Sequence, residues 1–214
     1  MKLSGTKSLR LAGLSTVAIA VFLSATAAPP RFPQATATAT VATSEVMLTV
    51  DPAQSKVHWN VDSTLHMVHG TFNLKSGMVH FSPETGRAGG EIVVLATSGE
   101  SGNGSRDARM HKEILETAKY PDAVFRPTSV EGKVQQTGVS DVKLHGTFTL
   151  HGADHDMDAP VHAEITGEHW KGTSKFEVPY IKWGIKDPSN FMLKVKPVVY
   201  VELEMSGDVK SAAK

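Results

Sequence analysis

The sequence predicts an all-β fold, an antiparallel barrel of about eight strands with one helix between the middle two. Short segments with apolar residues at alternate positions follow one another between turn residues from Val46 to Met205. Only residues 105–121 carry a helical pattern instead. A β-sandwich fits the same spacing of strands. We favour the barrel, because about eight strands close around an interior that side chains or one apolar ligand can fill.

The N-terminus has the pattern of a secretory signal peptide. Three basic residues, Lys2, Lys7 and Arg10, precede an apolar run at 11–23 and the small-residue motif Ala25-Thr26-Ala27. We therefore predict a signal peptide at 1–27 and a periplasmic or secreted protein. The apolar run is short and rich in Ala and Ser, so we expect no stable membrane span after signal cleavage, with an uncleaved anchor as the alternative.

The remaining chain divides into a linker, one folded domain and a tail. Residues 28–44 are rich in Pro, Ala and Thr, a composition with little to bury, and they predict a disordered linker. Residues 45–207 are long enough to form one core, so we expect them to be the barrel domain. Residues 208–214 are expected to be a short tail.

Composition excludes several classes of function. The formal net charge is +0 and the isoelectric point is about 7.2, so no overall field attracts nucleic acid. The few aromatic residues are not interleaved with a basic patch, and we expect no nucleic-acid partner. Cysteine is absent, which excludes disulfide bonds, thiolate metal sites and cysteine nucleophiles.

Alternation of apolar residues predicts the strands. On the second segment, Val57, Trp59 and Val61 share one face. The pair Asp51-Pro52 before it predicts a hairpin-like reversal, and Gly77 predicts a bulge or bend. Pro197 predicts an edge-like part of the last strand. The predicted strands are residues 46–50, 55–62, 71–82, 91–97, 122–130, 141–151, 159–168, 173–183 and 191–205.

The helix at residues 105–121 has start and stop signals. Ser105 is the predicted N-cap, Asp107 places a negative charge in the first turn, and Pro121 marks the end. At 100° per residue one stripe of the helix is apolar, with Leu115 at its edge, and Arg109 falls on the opposite, polar side. The apolar stripe consists of Met110, Ile114 and Ala118.

Signals for catalysis are weak. The glycines near Gly99 match neither a nucleophile elbow nor a phosphate-binding loop, so we expect a protein that is not an enzyme and needs no cofactor. His145 and His151 lie roughly 20 Å apart along one strand and cannot share a metal ion. A turn rich in His and Asp leaves a metal-dependent function open as an alternative. Its candidate ligands are His151, Asp154, His155, Asp156 and Asp158.

Several spaced motifs run in one order through most of residues 45–207. They are Asp51-Pro52-x-x-Ser55-x-Val57-x-Trp59, Gly70-x-Phe72, Gly77-x-Val79-x-Phe81, Arg106-Asp107-x-x-Met110, Glu113-Ile114-Leu115-Glu116, Lys119-Tyr120-Pro121 with Phe125, and Phe148-x-Leu150-His151-Gly152. This set resembles the signature of the YceI family of exported, lipocalin-like proteins that bind polyisoprenoids.

The resemblance implies an eight-stranded antiparallel lipocalin-like barrel with the amphipathic helix packed at its mouth or wall. It also implies a long apolar pore that holds an isoprenoid lipid, such as a polyprenyl lipid or a quinone. Arg106 and Asp107 would anchor the helix and contact a polar head group. The expected pore-lining residues are Met110, Ile114 and Leu115 on the helix, and Trp59, Val61, Phe81, Phe125, Phe148 and Trp183 elsewhere.

Two departures from the family pattern leave the ligand open. Tyr180 stands four residues before Gly184, where the family is expected to carry arginine, and Ile114 and Leu115 stand where phenylalanines are common. A different apolar ligand is therefore one alternative. A stress-related structural or interaction barrel without a ligand is another, and a homodimer stays open.

Overall fold

The computed structural model describes residues 45–211, which form nine strand segments and one short helix. The predicted signal peptide and linker lie outside these residues. None of the helices in the described part of the chain is long and apolar enough to cross a membrane. The strands are β1 (Val46–Val50), β2 (Lys56–Asp62), β3 (Met67–Phe81), β4 (Ala88–Glu100), β5 (Asp122–Glu131), β6 (Gly138–Leu150), β7 (Ala153–Thr166), β8 (His169–Val178) and β9 (Val199–Ser211).

The strands form a closed antiparallel barrel. From β3 the order continues through β4, β5, β6, β7 and β8 to β9, each strand hydrogen-bonded to the next. β1 and β2 both lie between β3 and β9, one after the other, and complete the ring. Nine segments therefore occupy eight strand positions. The prediction of an eight-stranded antiparallel barrel with one helix is confirmed.

The predicted reversal at Asp51-Pro52 is wrong. β1 and β2 are both antiparallel to β3 and to β9, so the chain keeps its direction through this turn. Asp51 organises the interruption, because its carboxylate accepts hydrogen bonds from the Ala53 amide at 2.9 Å and the Gln54 side chain at 2.6 Å. Proline lacks an amide hydrogen, so strand pairing is interrupted at this turn. β2 then continues between β3 and β9, in the strand position that β1 occupies before the turn.

Three strand details differ from the prediction. β9 begins at Val199, so Pro197 lies in the preceding connection and not in an edge-like segment. The same strand continues to Ser211, where it pairs with β1, and this pairing places residues 208–211 in the barrel. In β3 the pairing register shifts between Leu74 and Ser76, while Gly77 pairs regularly with β4. An added Cβ at Gly77 would lie 2.6 Å from Val50, so close packing requires this glycine.

The helix is shorter than predicted and changes pitch. α1 spans Gly104–Arg109 and continues as a π-helical turn at Met110–Ile114. Its N-cap is Asn103, not Ser105, because the Asn103 side chain accepts a hydrogen bond from the Arg106 amide at 3.1 Å. Glu116 adopts a positive φ of 45° and ends the helix well before Pro121.

The two ends of the barrel differ. At one end lie the β2–β3 turn, the β4–β5 connection with α1, the β6–β7 turn and the long β8–β9 connection at 179–198. We call this end the mouth. The opposite end is filled by a cluster of buried side chains. This closed end includes Val50, Val79, Ile165, Trp170 and Met205.

Gly207 locks the closed end and provides a test of the register. A Cβ at this position would overlap the Thr49 carbonyl oxygen, which accepts a hydrogen bond from Trp170 Nε1 at 2.9 Å. We predict that Gly207→Ala lowers the free energy of unfolding by at least about 2 kcal/mol, measured by chemical denaturation. Gly104→Ala is the matched control, because open space surrounds Gly104, and it should leave stability unchanged or higher. Equal stability of the two variants would contradict the register.

Candidate functional site

An apolar cavity of about 330 Å³ lies inside the barrel on the mouth side. Aliphatic and aromatic side chains supply most of its wall. Strand alternation places them, since residues two apart on one strand point to the same side. On β2 these are Val57, Trp59 and Val61. The polar and charged side chains of the wall are Ser63, His66, Arg106, Arg109, Ser174 and Tyr180.

The helix contributes part of the wall. Met110 and Ile114 line the cavity from the π-helical turn, and Leu115 follows directly after it. Arg109 also lines the cavity, although the helical wheel placed it on the polar side. The Arg109 side chain is 42% exposed and its Nε lies 3.6 Å from the Glu113 carboxylate, so the residue borders the cavity and also faces solvent.

Eight of the eleven residues predicted to contact a ligand lie in the cavity wall. Sequence reasoning missed other wall residues, including Phe72 and Phe176, although alternation with their neighbours carries the same period-two signal. The eight predicted residues in the wall are Trp59, Val61, Arg106, Met110, Ile114, Leu115, Phe125 and Phe148.

The other three predicted residues lie outside the cavity wall. Phe81 is buried at the end of β3, opposite Val46 and Ala88, near the closed end. Trp183 stacks on the His155 ring at 4.1 Å between centroids, while its ring centroid is 5.8 Å from that of Phe148. Asp107, the third of them, contacts Ser101.

Ser101 connects the start of α1 to the end of β4. Arg106 donates from Nε to the Ser101 hydroxyl at 2.7 Å and from Nη2 to the Ser101 carbonyl at 2.8 Å. The Ser101 hydroxyl in turn donates to the Asp107 carboxylate. This hydrogen bond lowers the pKa of Asp107, so the carboxylate stays charged beside Arg106. Arg106 thus both holds the helix and borders the cavity.

The helix is also connected to the β8–β9 connection. Lys186 Nζ lies 3.2 Å from the Glu113 carboxylate, and this hydrogen bond lowers the pKa of Glu113. Both side chains are exposed, so the pair contributes little to stability. Ile114 packs against the apolar cluster that contains Tyr180 and Ile185. Apolar packing beneath the helix therefore contributes more to holding the helix in place than the exposed ion pair does.

A profile of the YceI-like domain matches residues 48–207. The chain belongs to the YceI-like family. UPF0312 proteins of the Shewanella strains ANA-3 and MR-4 are each 33% identical over 108 residues, which cover 49% of this chain and 54% of theirs. The chain thus matches about half the length of these curated relatives.

Solved structures show the same YceI-like fold. Burkholderia cenocepacia BcnA superposes with a TM-score of 0.62 at 16% identity, over 74% of this chain and 99% of BcnA. A polyisoprenoid binding domain from Saccharophagus degradans gives a TM-score of 0.56 at 16% identity, over 76% and 98% of the two chains. The YceI protein of Campylobacter jejuni gives 0.51 at 19% identity, over 66% and 84%. At these identities the likeness establishes the fold.

Two residues of the cavity wall each carry a buried polar atom that has no hydrogen-bond partner. These atoms are the indole Nε1 of Trp59 and the hydroxyl of Tyr180, and each of these residues is only 6% exposed. Burial, with a smaller contribution from the charge of Asp187, raises the pKa of Tyr180 from 10.0 to about 12. The Tyr180 hydroxyl therefore keeps its proton at neutral pH, and the indole N–H of Trp59 is a donor at any pH. Both groups can donate a hydrogen bond. Sequence reasoning noted Tyr180 only as a departure from the family pattern.

The histidines in and near the turn rich in His and Asp contact other side chains. His151 Nε2 lies 2.8 Å from the Glu116 carboxylate, His155 stacks on Trp183, and His145 lies 2.5 Å from Asp158. Within residues 45–211, no three His, Asp or Glu side chains are grouped so that they could hold a metal ion.

The raised pKa of Tyr180 predicts a pH dependence of stability. In the unfolded chain the phenol ionises near 10.0, and in the folded protein near 12, so stability present below pH 10 is lost as the pH rises through this window. We expect Tyr180→Phe to remove this part of the loss, measured by chemical denaturation across that pH range. Tyr200→Phe, at an exposed residue, should keep the wild-type profile. Identical profiles for wild type and Tyr180→Phe would contradict the assignment.

Proposed function

We propose that this YceI-like protein is an exported, non-catalytic binder or carrier of an isoprenoid-type lipid, either a polyprenyl lipid or a prenylated quinone. The apolar cavity of about 330 Å³ carries the proposal, because it lies within the size range of small-molecule sites and helix residues form part of its wall. The N-terminal signal pattern supports export. The polyisoprenoid binding domain of Saccharophagus degradans, which has the same fold, supports the ligand class.

Burial of hydrocarbon is sufficient for useful affinity. Each methylene removed from water contributes about 0.8 kcal/mol, so a few isoprene units give several kcal/mol without any strong polar contact. The branched methyl groups of an isoprenoid suit a wall of aliphatic and aromatic side chains. An open cavity of this size argues against a barrel filled by its own side chains.

The polar atoms of the wall support a lipid with an oxygen-bearing end. The Trp59 indole and the Tyr180 hydroxyl are buried donors of two wall residues without a protein partner, and a ligand oxygen that reaches either of them would accept a hydrogen bond. Arg106 and Arg109 also border the cavity, although Arg106 is hydrogen-bonded to Ser101 and Arg109 Nε lies 3.6 Å from the Glu113 carboxylate. A pure hydrocarbon leaves the indole and the hydroxyl without a partner, so we favour an amphiphilic isoprenoid.

Charge placed on the helix tests the site. We expect the double variant Met110→Asp/Ile114→Asp to lose the lipid that copurifies with the wild-type protein, because two carboxylates would then border the cavity. Native mass spectrometry after purification from the host measures retention. Val139→Asp is the control, since Val139 is 50% exposed on β6 near the closed end, and it should retain the lipid. Full retention by a folded double variant would overturn the proposed site.

A conservative change tests the polar end of the ligand. We expect Tyr180→Phe to weaken binding of a prenylated quinone by about 5-fold to 30-fold, the loss of one hydrogen bond to a buried donor. Affinity for squalene, a hydrocarbon of the same class, should not change. Tyr200→Phe serves as the matched control for both ligands. Equal losses for the quinone and for squalene would show that Tyr180 acts through packing alone.

A further inference from the structure

Four large apolar side chains are exposed at the barrel mouth, three on loops and one at the start of β3. Leu65 is 74% exposed in the β2–β3 turn, and Met67 is 48% exposed directly after it. Phe191 is 98% exposed and Met192 is 85% exposed in the β8–β9 connection. We call these four residues the rim patch. Large exposed apolar side chains that share one surface mark an interaction site more often than isolated ones do.

The two loops that carry the rim patch are hydrogen-bonded to each other. The Thr64 amide donates to the Lys194 carbonyl at 2.9 Å, and the Lys196 amide donates to the Asp62 carbonyl at 2.8 Å. Ser63 and Val195 form an isolated β-bridge between the same loops. The two segments that carry the patch therefore lie side by side at the mouth.

The tip of the longer loop has its own internal order. The Asn190 side chain accepts hydrogen bonds from the Met192 amide at 2.9 Å and from the Leu193 amide at 2.8 Å. The Asn190 amide donates to the Leu193 carbonyl at 2.8 Å. This turn leaves Phe191 and Met192 projecting into solvent while Leu193 lines the cavity.

The same loops border the cavity from inside. Ser63 and His66 of the β2–β3 turn belong to the cavity wall, and so do Pro188, Leu193 and Val195 of the β8–β9 connection. One side of each loop therefore faces the cavity while its neighbours face solvent. A surface that covers the rim patch would lie directly over the mouth.

Basic side chains accompany the patch. Residues 182–196 contain four lysines and one acidic residue, Asp187, and Asp62 ends β2 beside them. Lys186 is paired with Glu113 of the helix, and the other three lysines exceed the two aspartates by one positive charge, although the whole chain is neutral. Apolar side chains at a loop tip with lysines beside them match a bilayer interface, where apolar groups enter the acyl boundary and lysines meet phosphates. The four lysines are Lys182, Lys186, Lys194 and Lys196.

We propose that the rim patch docks the barrel mouth on the surface of an anionic phospholipid bilayer. The patch projects from loop tips and has a local positive charge, which favours a bilayer over a second copy of this chain, whose patch would carry the same charge. Docking in this orientation brings the cavity to the source of an apolar ligand, so the ligand need not cross water.

Vesicle flotation tests the docking surface. The mature protein, as purified from its host, is mixed with vesicles of phosphatidylcholine alone or of phosphatidylcholine with phosphatidylglycerol. We expect binding to the anionic vesicles that weakens at high salt. The triple variant Leu65→Ser/Phe191→Ser/Met192→Ser should bind them at least about tenfold more weakly, because three side chains that enter the interface are removed. None of the three belongs to the cavity wall.

The double variant Met78→Ser/Val139→Ser is the matched control. Both residues are about half exposed on the strands away from the mouth, so this variant should float like the wild type. Equal flotation of the triple variant, or equal binding to neutral vesicles, would overturn the proposal. A change from dimer to monomer in the triple variant, seen by analytical ultracentrifugation without vesicles, would assign the patch to self-association instead.

A soluble ligand separates this inference from the proposed function. Binding of a short-chain prenylated quinone from solution depends on the cavity and not on the rim patch. The triple variant should therefore bind that quinone with wild-type affinity. Loss of docking with retained quinone binding supports both conclusions, whereas flotation without any quinone binding by the wild type would leave docking intact and remove the proposed function.

Discussion

Closure of the sheet by hydrogen bonds between β3 and β4 is the constraint on which the rest of the structure depends. Once these two strands pair, the barrel has no free edge, and every inward side chain must pack or border a cavity. At the closed end the inward residues, with Trp170 among them, fill the interior. On the mouth side the inward side chains leave an open cavity at the centre of the barrel, and α1 borders this cavity.

The fold was largely predictable because strand alternation depends on one local rule, the opposite orientation of neighbouring side chains. That rule does not predict that two consecutive strand segments, β1 and β2, occupy one strand position of the barrel. The pair Asp51-Pro52 signals a turn, and only the pairing of β1 and β2 with the same two neighbours shows that the chain continues in one direction. The helix cap failed for a similar reason, since Asn103 and Ser105 are both good cap residues and the backbone chooses between them.

The cavity wall was predictable where period and position agree, as for Trp59 and Phe148. Phe81 has the right period but lies too near the closed end, because alternation gives the side of a strand and not the depth along the barrel. Arg109 was missed because the helical wheel assigns each residue to one face, whereas the Arg109 side chain borders the cavity and is also partly exposed. Tyr180 carries no periodic signal at all, since it lies in an irregular connection, and only its burial and its unpaired hydroxyl in the structure distinguish it.

The pairing of β1 with β9 has a geometric consequence for the ends of the domain. Val46 lies opposite Ser211, so the first and last strands of the barrel enter and leave side by side. Both do so at the closed end, the full length of the barrel away from the mouth. A fusion partner, a surface linkage or a circular permutation that joins these two positions would therefore leave the opening, the helix and the loops around it unobstructed.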